Sequence, residues 1–221
     1  MMIKGALFDL DGVIADTSVY HFQAWRDLVA KHFNATLPDD LEAKTKGVSR
    51  GDSLRVILDY LGETVDQVTF EALADEKNTA YIKLLDDLRP ANILPGITDF
   101  IANLKAQNIK LALASASLNG PYILEKLALS DAFDAVANPA EVTSGKPAPD
   151  IFIAAAQALN LEPQDCIGVE DAIAGVTAIN ASGAFSVAVG DASDLSHAKL
   201  HFPSTAELNL ATIQKAFEVA R

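Results

Sequence analysis

Apolar runs that stop abruptly at acids or hydroxyls narrow the fold of this chain more than any other feature. Residues 3–8, apolar but for Lys4, stop at Asp9-Leu10-Asp11-Gly12. Residues 109–115 stop at Ser115-Ala116-Ser117, and residues 166–169 stop at Glu170-Asp171. Residues 134–137, after the opening Asp134, and 185–189, interrupted only by Ser186, are further short apolar runs. Runs this short and continuous, bounded by polar residues, read as strands buried on both faces. Between them lie stretches with helical punctuation. Pro95-Gly96 opens one that continues through Gln107, and residues 120–127, 149–159 and 172–182 follow, the last stopped by Gly183. Strands alternating with helices imply parallel pairing, hence an α/β fold with a doubly wound parallel sheet. Ligands of such sheets collect at the C-terminal ends of the strands, which is where these acids and hydroxyls fall.

Residues 17–88 break the alternation. Phe22, Trp25, Leu28, Val29 and Phe33 recur at helical spacing, as do Leu54, Ile57, Leu58 and Leu61, and then Leu73, Tyr81, Leu84 and Leu85. No strand-like run interrupts them. Ser49 with Asp52 has the form of a helix-start capping box, and Asp66 that of a helix cap. The expected organisation is a core of residues 1–16 and 89–221, with an all-helical cap, residues 17–88, inserted after the first strand.

Charge and cysteine content limit the partners. The 221 residues carry 30 acids against 17 lysines and arginines, for a net charge of −13. A chain so acidic is unsuited to nucleic acid or to anionic membranes. Residues 172–190, the longest uncharged stretch, contain Gly175, Asn180, Ser182 and Gly183 and do not read as a membrane span. The single cysteine, Cys166, permits no intrachain disulfide, and Asp9 comes too early for a signal peptide, so the expectation is a cytoplasmic protein. No unpaired apolar stripe is evident, and a monomer is expected. An anionic substrate would have to be held against the overall charge by cations placed locally.

The strand-end residues can do chemistry together. Carboxylates from two strands can hold Mg²⁺, which takes oxygen ligands. A serine hydroxyl and a lysine supply donors to phosphate oxygens, and a carboxylate beside that phosphate can attack it to form an aspartyl phosphate. Asp9-Leu10-Asp11-Gly12, Ser115, Lys146-Pro147 and Glu170-Asp171, in this order, resemble the four motifs of the haloacid dehalogenase superfamily of phosphotransferases. The helical insert resembles that of its small-cap subclass, on a Rossmann-like core. The resemblance implies Asp9 as nucleophile, Asp11 as general acid and base, Ser115 as a phosphate-binding hydroxyl and Lys146 as the neutralising cation. It also implies one Mg²⁺ per chain at Asp9, Asp11, Glu170 and Asp171, with Glu170 either a direct ligand or a support behind one.

Phosphatases and mutases of the superfamily share those motifs, and the cap separates them. His21-Phe22-Gln23-Ala24-Trp25, the run from Lys46-Gly47-Val48 through Arg50 to Ser53, and Lys77-Asn78, with Ser115-Ala116-Ser117-Leu118-Asn119 in the core, resemble the sugar-phosphate mutases. That resemblance implies interconversion of β-D-glucose 1-phosphate and glucose 6-phosphate through an aspartyl-phosphate enzyme and β-glucose 1,6-bisphosphate. It places Thr17, His21, Trp25, Lys46, Gly47, Val48, Arg50, Ser53, Lys77, Ala116, Ser117 and Asn119 around the substrate. Such an enzyme must hold two phosphates. Arg50 can offer a bidentate fork to the distal one, and Ser117 and Asn119 can add hydrogen bonds near a helix start. One departure is Leu118, where the family pattern has lysine. The alternative is a Mg²⁺-dependent sugar-phosphate phosphatase with the same cap. Plainer readings stand beside these: His21 and Trp25 as a packed pair four apart on a helix, Lys46 and Arg50 as solvated charges, Thr17 as a helix N-cap.

Overall fold

The computed structural model describes residues 2–220. Its strands are β1 (Gly5–Phe8), β2 (Lys110–Leu113), β3 (Ala135–Val136), β4 (Cys166–Glu170), β5 (Phe185–Val189) and β6 (Leu200–Phe202). They form one sheet in the order 3-2-1-4-5-6, and every neighbouring pair is parallel. The order turns back at β1, which has β2 on one side and β4 on the other. The crevice at this reversal is where a doubly wound sheet takes its ligand. Phe8 is in register with Val169, so Asp9 and Glu170 emerge side by side from the same edge.

Side chains on a strand alternate between faces, and both faces of this sheet are covered. Ala6 and Phe8 point into one apolar cluster with Leu111, Leu113, Ile167, Val169 and Val187. Leu7 points the other way, into a cluster with Ala112 and Cys166. The helices between β1 and β2 are α1 (Ser18–Phe33), α2 (Glu42–Thr45), α3 (Arg50–Leu61), α4 (Gln67–Leu84) and α5 (Ile97–Ala106). After β2 come α6 (Gly120–Lys126), α7 (Asp150–Ala158), α8 (Ile173–Ser182) and α9 (Leu210–Val219). Helices α5 and α9 cover the first face through Ile97, Phe100, Leu104, Ile213 and Phe217. Helices α7 and α8 cover the second through Phe152, Ala155, Ala156, Ala178 and Ile179. Among the described residues, no helix is long and apolar enough to cross a membrane.

The helical insert has an apolar centre of its own, built from Phe22, Trp25, Leu28 and Val29 of α1, Leu54, Ile57 and Leu58 of α3, and Leu73 of α4. Its boundaries follow the local signals in the sequence. Ser49 accepts from the Asp52 N–H at 3.1 Å at the start of α3, and Asp66 accepts from the Thr69 N–H at 2.8 Å at the start of α4. Thr17 stands before α1 at the cap position but makes no side-chain capping bond. Its hydroxyl donates to the Asp11 carboxylate instead. The strand–helix reading of the sequence stops at Val189, and β6 and α9 lie beyond it.

Gly168 marks the closest approach of β4 to α8. A Cβ there would lie 2.7 Å from Cγ1 and 2.8 Å from Cδ1 of Ile179. In a close-packed interior such an addition displaces its neighbours. Gly168→Ala should lower the unfolding free energy by about 1–3 kcal/mol, read from the urea midpoint. An unchanged midpoint would show that this strand–helix contact has slack.

Candidate active site

Four motifs from distant parts of the chain meet at the C-terminal edge of β1, β2 and β4. Asp9 follows β1 directly and Glu170 closes β4. Lys146 comes from the loop before α7, and its Nζ donates to Asp9 Oδ1 at 2.6 Å and to Glu170 Oε2 at 2.8 Å. All three are buried. Glu170 fits against Gly175 of α8, where a Cβ would lie 2.0 Å from its carboxyl carbon, and its Oε1 accepts from the Ala172 N–H at 3.2 Å. Gly12, with φ +75°, makes similar room for Asp171, whose Oδ2 would lie 1.7 Å from a Cβ there. Lys46, from the cap, reaches Asp171 Oδ2 at 2.6 Å. Ser115 follows β2, and its hydroxyl accepts from the Ser117 N–H at 3.1 Å.

The electrostatics of this edge are strained in one direction. Burial and the Asp9 charge push Glu170 up to about 8 despite Lys146 beside it. Burial likewise pushes Asp171 up to about 6 despite Lys46. Burial alone would lower Lys146, but Asp9 and Glu170 outweigh it and hold it above the usual lysine range. Burial and the Asp9 charge push Asp11 up to about 7, with the Thr17 hydroxyl opposing. Carboxylates crowded in this way resist ionising together unless a cation joins them. One carboxylate oxygen each from Asp9, Glu170 and Asp171 lies within 4.8 Å of the others. That donor set suits Mg²⁺, which takes oxygen ligands and usually retains waters and substrate phosphate. Ionised in full, Asp9, Asp11, Glu170 and Asp171 exceed Lys46 and Lys146 by two charges, which one divalent cation balances.

A second group of residues surrounds Asp11. Thr17 is buried behind it, away from the cavity wall, and holds Oδ1. His21 of α1 places Nε2 3.9 Å from Oδ2. The imidazole is stacked on Tyr81 at 3.8 Å between centroids, and its Nδ1 lies 2.5 Å from Lys77 Nζ. Burial and the charges of Lys77 and Arg50 keep the ring well below its ordinary pKa, hence neutral. A neutral ring accepting from Lys77 at Nδ1 carries its proton on Nε2, facing Asp11. Lys77 itself is buried, its Nζ 4.8 Å from the ring centroids of both Trp25 and Tyr81.

A third group lining the same cavity comprises Arg50 and Asn119. Arg50, at the start of α3, places Nη1 3.5 Å from Asp75 Oδ1. Asn119, before α6, donates its side-chain amide to Asn78 Oδ1 of α4 at 2.9 Å and its backbone N–H to Ser117 Oγ at 3.2 Å. The cavity between the groups has a volume of about 520 Å³. Its wall includes Asp9, Asp11, His21, Trp25, Lys46, Gly47, Val48, Arg50, Ser53, Lys77, Ser115, Ala116, Ser117, Asn119 and Lys146. Ser53 lines it but spends its hydroxyl on the backbone carbonyl of Ser49, at 3.0 Å. Leu118 lines it too and is exposed. Thr17, Glu170 and Asp171 do not form this wall; they support it from behind or beside. The sequence reading did not assign Asp75, Tyr81 or the Pro139–Val142 stretch of the wall, and it noted Asn78 without giving it a role.

A sheet edge of buried carboxylates, lysine and serine beside a helical insert defines a class. The chain belongs to the haloacid dehalogenase-like hydrolase family, whose model matches residues 3–183. Within that family it is 40% identical to a β-phosphoglucomutase of Bacillus subtilis over 221 residues, covering 99% of this chain and 97% of the relative. It superposes on the crystal structure of a β-phosphoglucomutase from Clostridium difficile with a TM-score of 0.96, at 40% identity and full coverage of both chains. A fructose-1-phosphate phosphatase of Escherichia coli is 32% identical over 84% of this chain and 95% of its own.

Burial of Lys77 has a pH signature. Burial and the charge of Arg50 pull it down to about 7, against about 10.4 in an unfolded chain. Between those values the unfolded state holds the extra proton, so this lysine's penalty is greatest at low pH and fades as pH rises. Lys77→Met should be more stable than the parent below about pH 7. The gain should shrink by about 1.4 kcal/mol per pH unit toward pH 10. Urea unfolding across that range checks this. A gain independent of pH would show that Lys77 is not held neutral.

Proposed function

We propose that this chain is a cytoplasmic, monomeric sugar-phosphate mutase that interconverts β-D-glucose 1-phosphate and glucose 6-phosphate through β-glucose 1,6-bisphosphate. One observation carries the reading: the cavity that holds Asp9, Lys146 and Ser115, which we take as the end for the reacting phosphate, is also lined by Arg50 and Asn119, which we take as the end for the other. A phosphatase needs the first end. A mutase needs both, because its intermediate carries two phosphates. The β-phosphoglucomutases similar over the full chain support the same reading.

Bound at Asp9, Glu170 and Asp171, with Asp11 beside them, Mg²⁺ would supply positive charge to the transferring phosphoryl group. The chain's own residues do the rest. In the phosphorylated enzyme, the phosphoryl group sits on Asp9, with Lys146 and Ser115 donating to its oxygens. The 6-hydroxyl of β-glucose 1-phosphate attacks phosphorus, Asp11 takes the hydroxyl proton, and the bond to Asp9 breaks, giving the bisphosphate. The bisphosphate turns end for end. Asp9 then attacks the phosphate on C1, Asp11 returns the proton to the leaving sugar oxygen, and glucose 6-phosphate departs. Thr17 fixes one oxygen of Asp11 and leaves the other toward His21 and the sugar. In each half-reaction Arg50, Ser117 and Asn119 hold the phosphate that does not react. We place the cap at residues 17–88 and the core at residues 1–16 and 89–221, joined by hinges near residues 16–17 and 87–90. Cap closure excludes the water that would compete with the sugar hydroxyl. Lys46, Gly47, Val48, Trp25 and Lys77 then face the sugar from above.

Supplied with Mg²⁺, β-glucose 1-phosphate and a trace of the bisphosphate, the enzyme should form glucose 6-phosphate far faster than free phosphate. Phosphate released as fast as isomer would favour the sugar-phosphate phosphatase. Asp9→Asn should abolish the phospho-enzyme, which intact mass measures as the added phosphoryl group, and its persistence would exclude Asp9 as nucleophile. Arg50→Ala should raise KM for the bisphosphate by about tenfold or more, the scale of one charge-assisted contact. Equal loss of phospho-enzyme formation from a donor with no distal phosphate would remove Arg50 from that end.

A further inference from the structure

Asn78 belongs to the cap, yet it bonds to a residue of the opposite wall. Its Oδ1 accepts from Asn119 Nδ2 at 2.9 Å, and both side chains line the cavity. Asn119 is otherwise stitched to the core through its backbone. Its N–H donates to Ser117 Oγ at 3.2 Å, and the Ser117 N–H donates to Ser115 Oγ at 3.1 Å. This ladder fixes where Asn119 starts but not where its amide points. The neighbouring side chain, Leu118, is apolar and exposed and offers no hydrogen bond to orient it. Among the described residues, the partner that does so is Asn78.

Helix α4 treats Arg50 in the same way. Asp75 lies three positions before Asn78, on the same face of the helix, and its Oδ1 is 3.5 Å from Arg50 Nη1. One face of one cap helix therefore carries a partner for each of the two polar groups assigned above to the distal phosphate. The two partners differ in kind. Asp75 is largely exposed and touches a residue of its own cap, so its contact is independent of cap position. Asn78 is half-buried and touches the core, so its contact exists when cap and core meet.

We propose that Asn78 is a positioning residue that orients the Asn119 amide toward the distal phosphate, so that this end of the site is complete only with the cap closed. The proposal rests on the mutase reading above. An amide nitrogen has two N–H bonds. Asn78 takes one and thereby sets the plane and direction of the other, which is left for a phosphate oxygen. With the cap open, Asn119 loses that orientation and the distal phosphate is held less well. Release of a bisphosphate that must turn end for end is thus linked to cap opening.

The test is kinetic. Asn78→Ala should raise KM for β-glucose 1,6-bisphosphate by about five- to tenfold, the worth of one hydrogen bond. Phosphorylation of Asp9 by acetyl phosphate, which has no distal group, should stay within about twofold, a difference below the worth of one hydrogen bond. Because Asn78 acts through Asn119, the double variant Asn78→Ala with Asn119→Ala should be no worse than Asn119→Ala alone. Additive losses, or an unchanged KM in Asn78→Ala, would overturn the proposal. An equal loss with acetyl phosphate would overturn it too, by revealing general damage. Melting temperatures accompany each variant, and Asn78→Ser repeats the measurement with a side chain too short to reach Asn119. Wild-type isomerisation is measured in parallel: its absence would remove the mutase reading itself, whereas normal isomerisation with an unaffected variant removes the role of Asn78 alone.

Discussion

Lys146 reaches Asp9 from 137 residues along the chain and Glu170 from 24. That pair of contacts is the constraint on which the site depends. Asp9 and Glu170 are presented by adjacent parallel strands, and their backbones cannot separate without breaking the sheet. Two buried carboxylates at that spacing repel each other, and removing their shared cation would leave uncompensated buried charge, a loss of several kcal/mol in comparable cases (about 3–5). The same crowding pushes Glu170 and Asp171 upward. It makes the edge of the sheet receptive to a divalent cation and, beside it, to a phosphate that brings its own negative charge. Fold and chemistry are therefore one requirement: the sheet order that puts β4 next to β1 creates the deficit of positive charge that the metal relieves.

The rest of the molecule is acidic, with a net charge of −13, and a sugar bisphosphate meets that field before it meets the site. The cations that answer it are placed individually. Lys46 is paired to Asp171, Lys146 to Asp9 and Glu170, and Arg50 loosely to Asp75. Lys46 and Arg50 come from one short run of the helical insert and Lys146 from the core. The proposed closure of the cap would add positive charge and remove water in one motion, and both effects strengthen electrostatic contacts with a bound phosphate.

Much of this was legible in the sequence for a physical reason. A strand buried on both faces must be apolar, and a strand that ends at a ligand site must end in polar residues. Ile3 to Asp9 and Cys166 to Asp171 therefore announce both the sheet and its working edge. Local capping at Ser49 and Asp66 was readable because it is decided within four residues. What was not readable depends on how distant parts meet. Strand β6 is three residues long and half-exposed, which leaves little pattern. Helix α9 does carry a helical spacing of Leu210, Ile213 and Phe217, its buried residues. Thr17 occupies a cap position but serves Asp11, a link that the family resemblance implied and that no local spacing announces. The bond between Asn78 and Asn119 spans 41 residues and two walls of a cleft, and no spacing within either segment announces it.

The central claim is that the phosphoryl group on Asp9 is carried to a sugar hydroxyl and not to water. The direct measurement is a single turnover with enzyme labelled on its phosphoryl group, mixed with excess β-glucose 1-phosphate and quenched over time. The account predicts that label leaves the protein, appears first in β-glucose 1,6-bisphosphate and then in glucose 6-phosphate, with little in inorganic phosphate. Label passing from the protein mainly into inorganic phosphate, at a rate unaffected by the sugar phosphate, would contradict it.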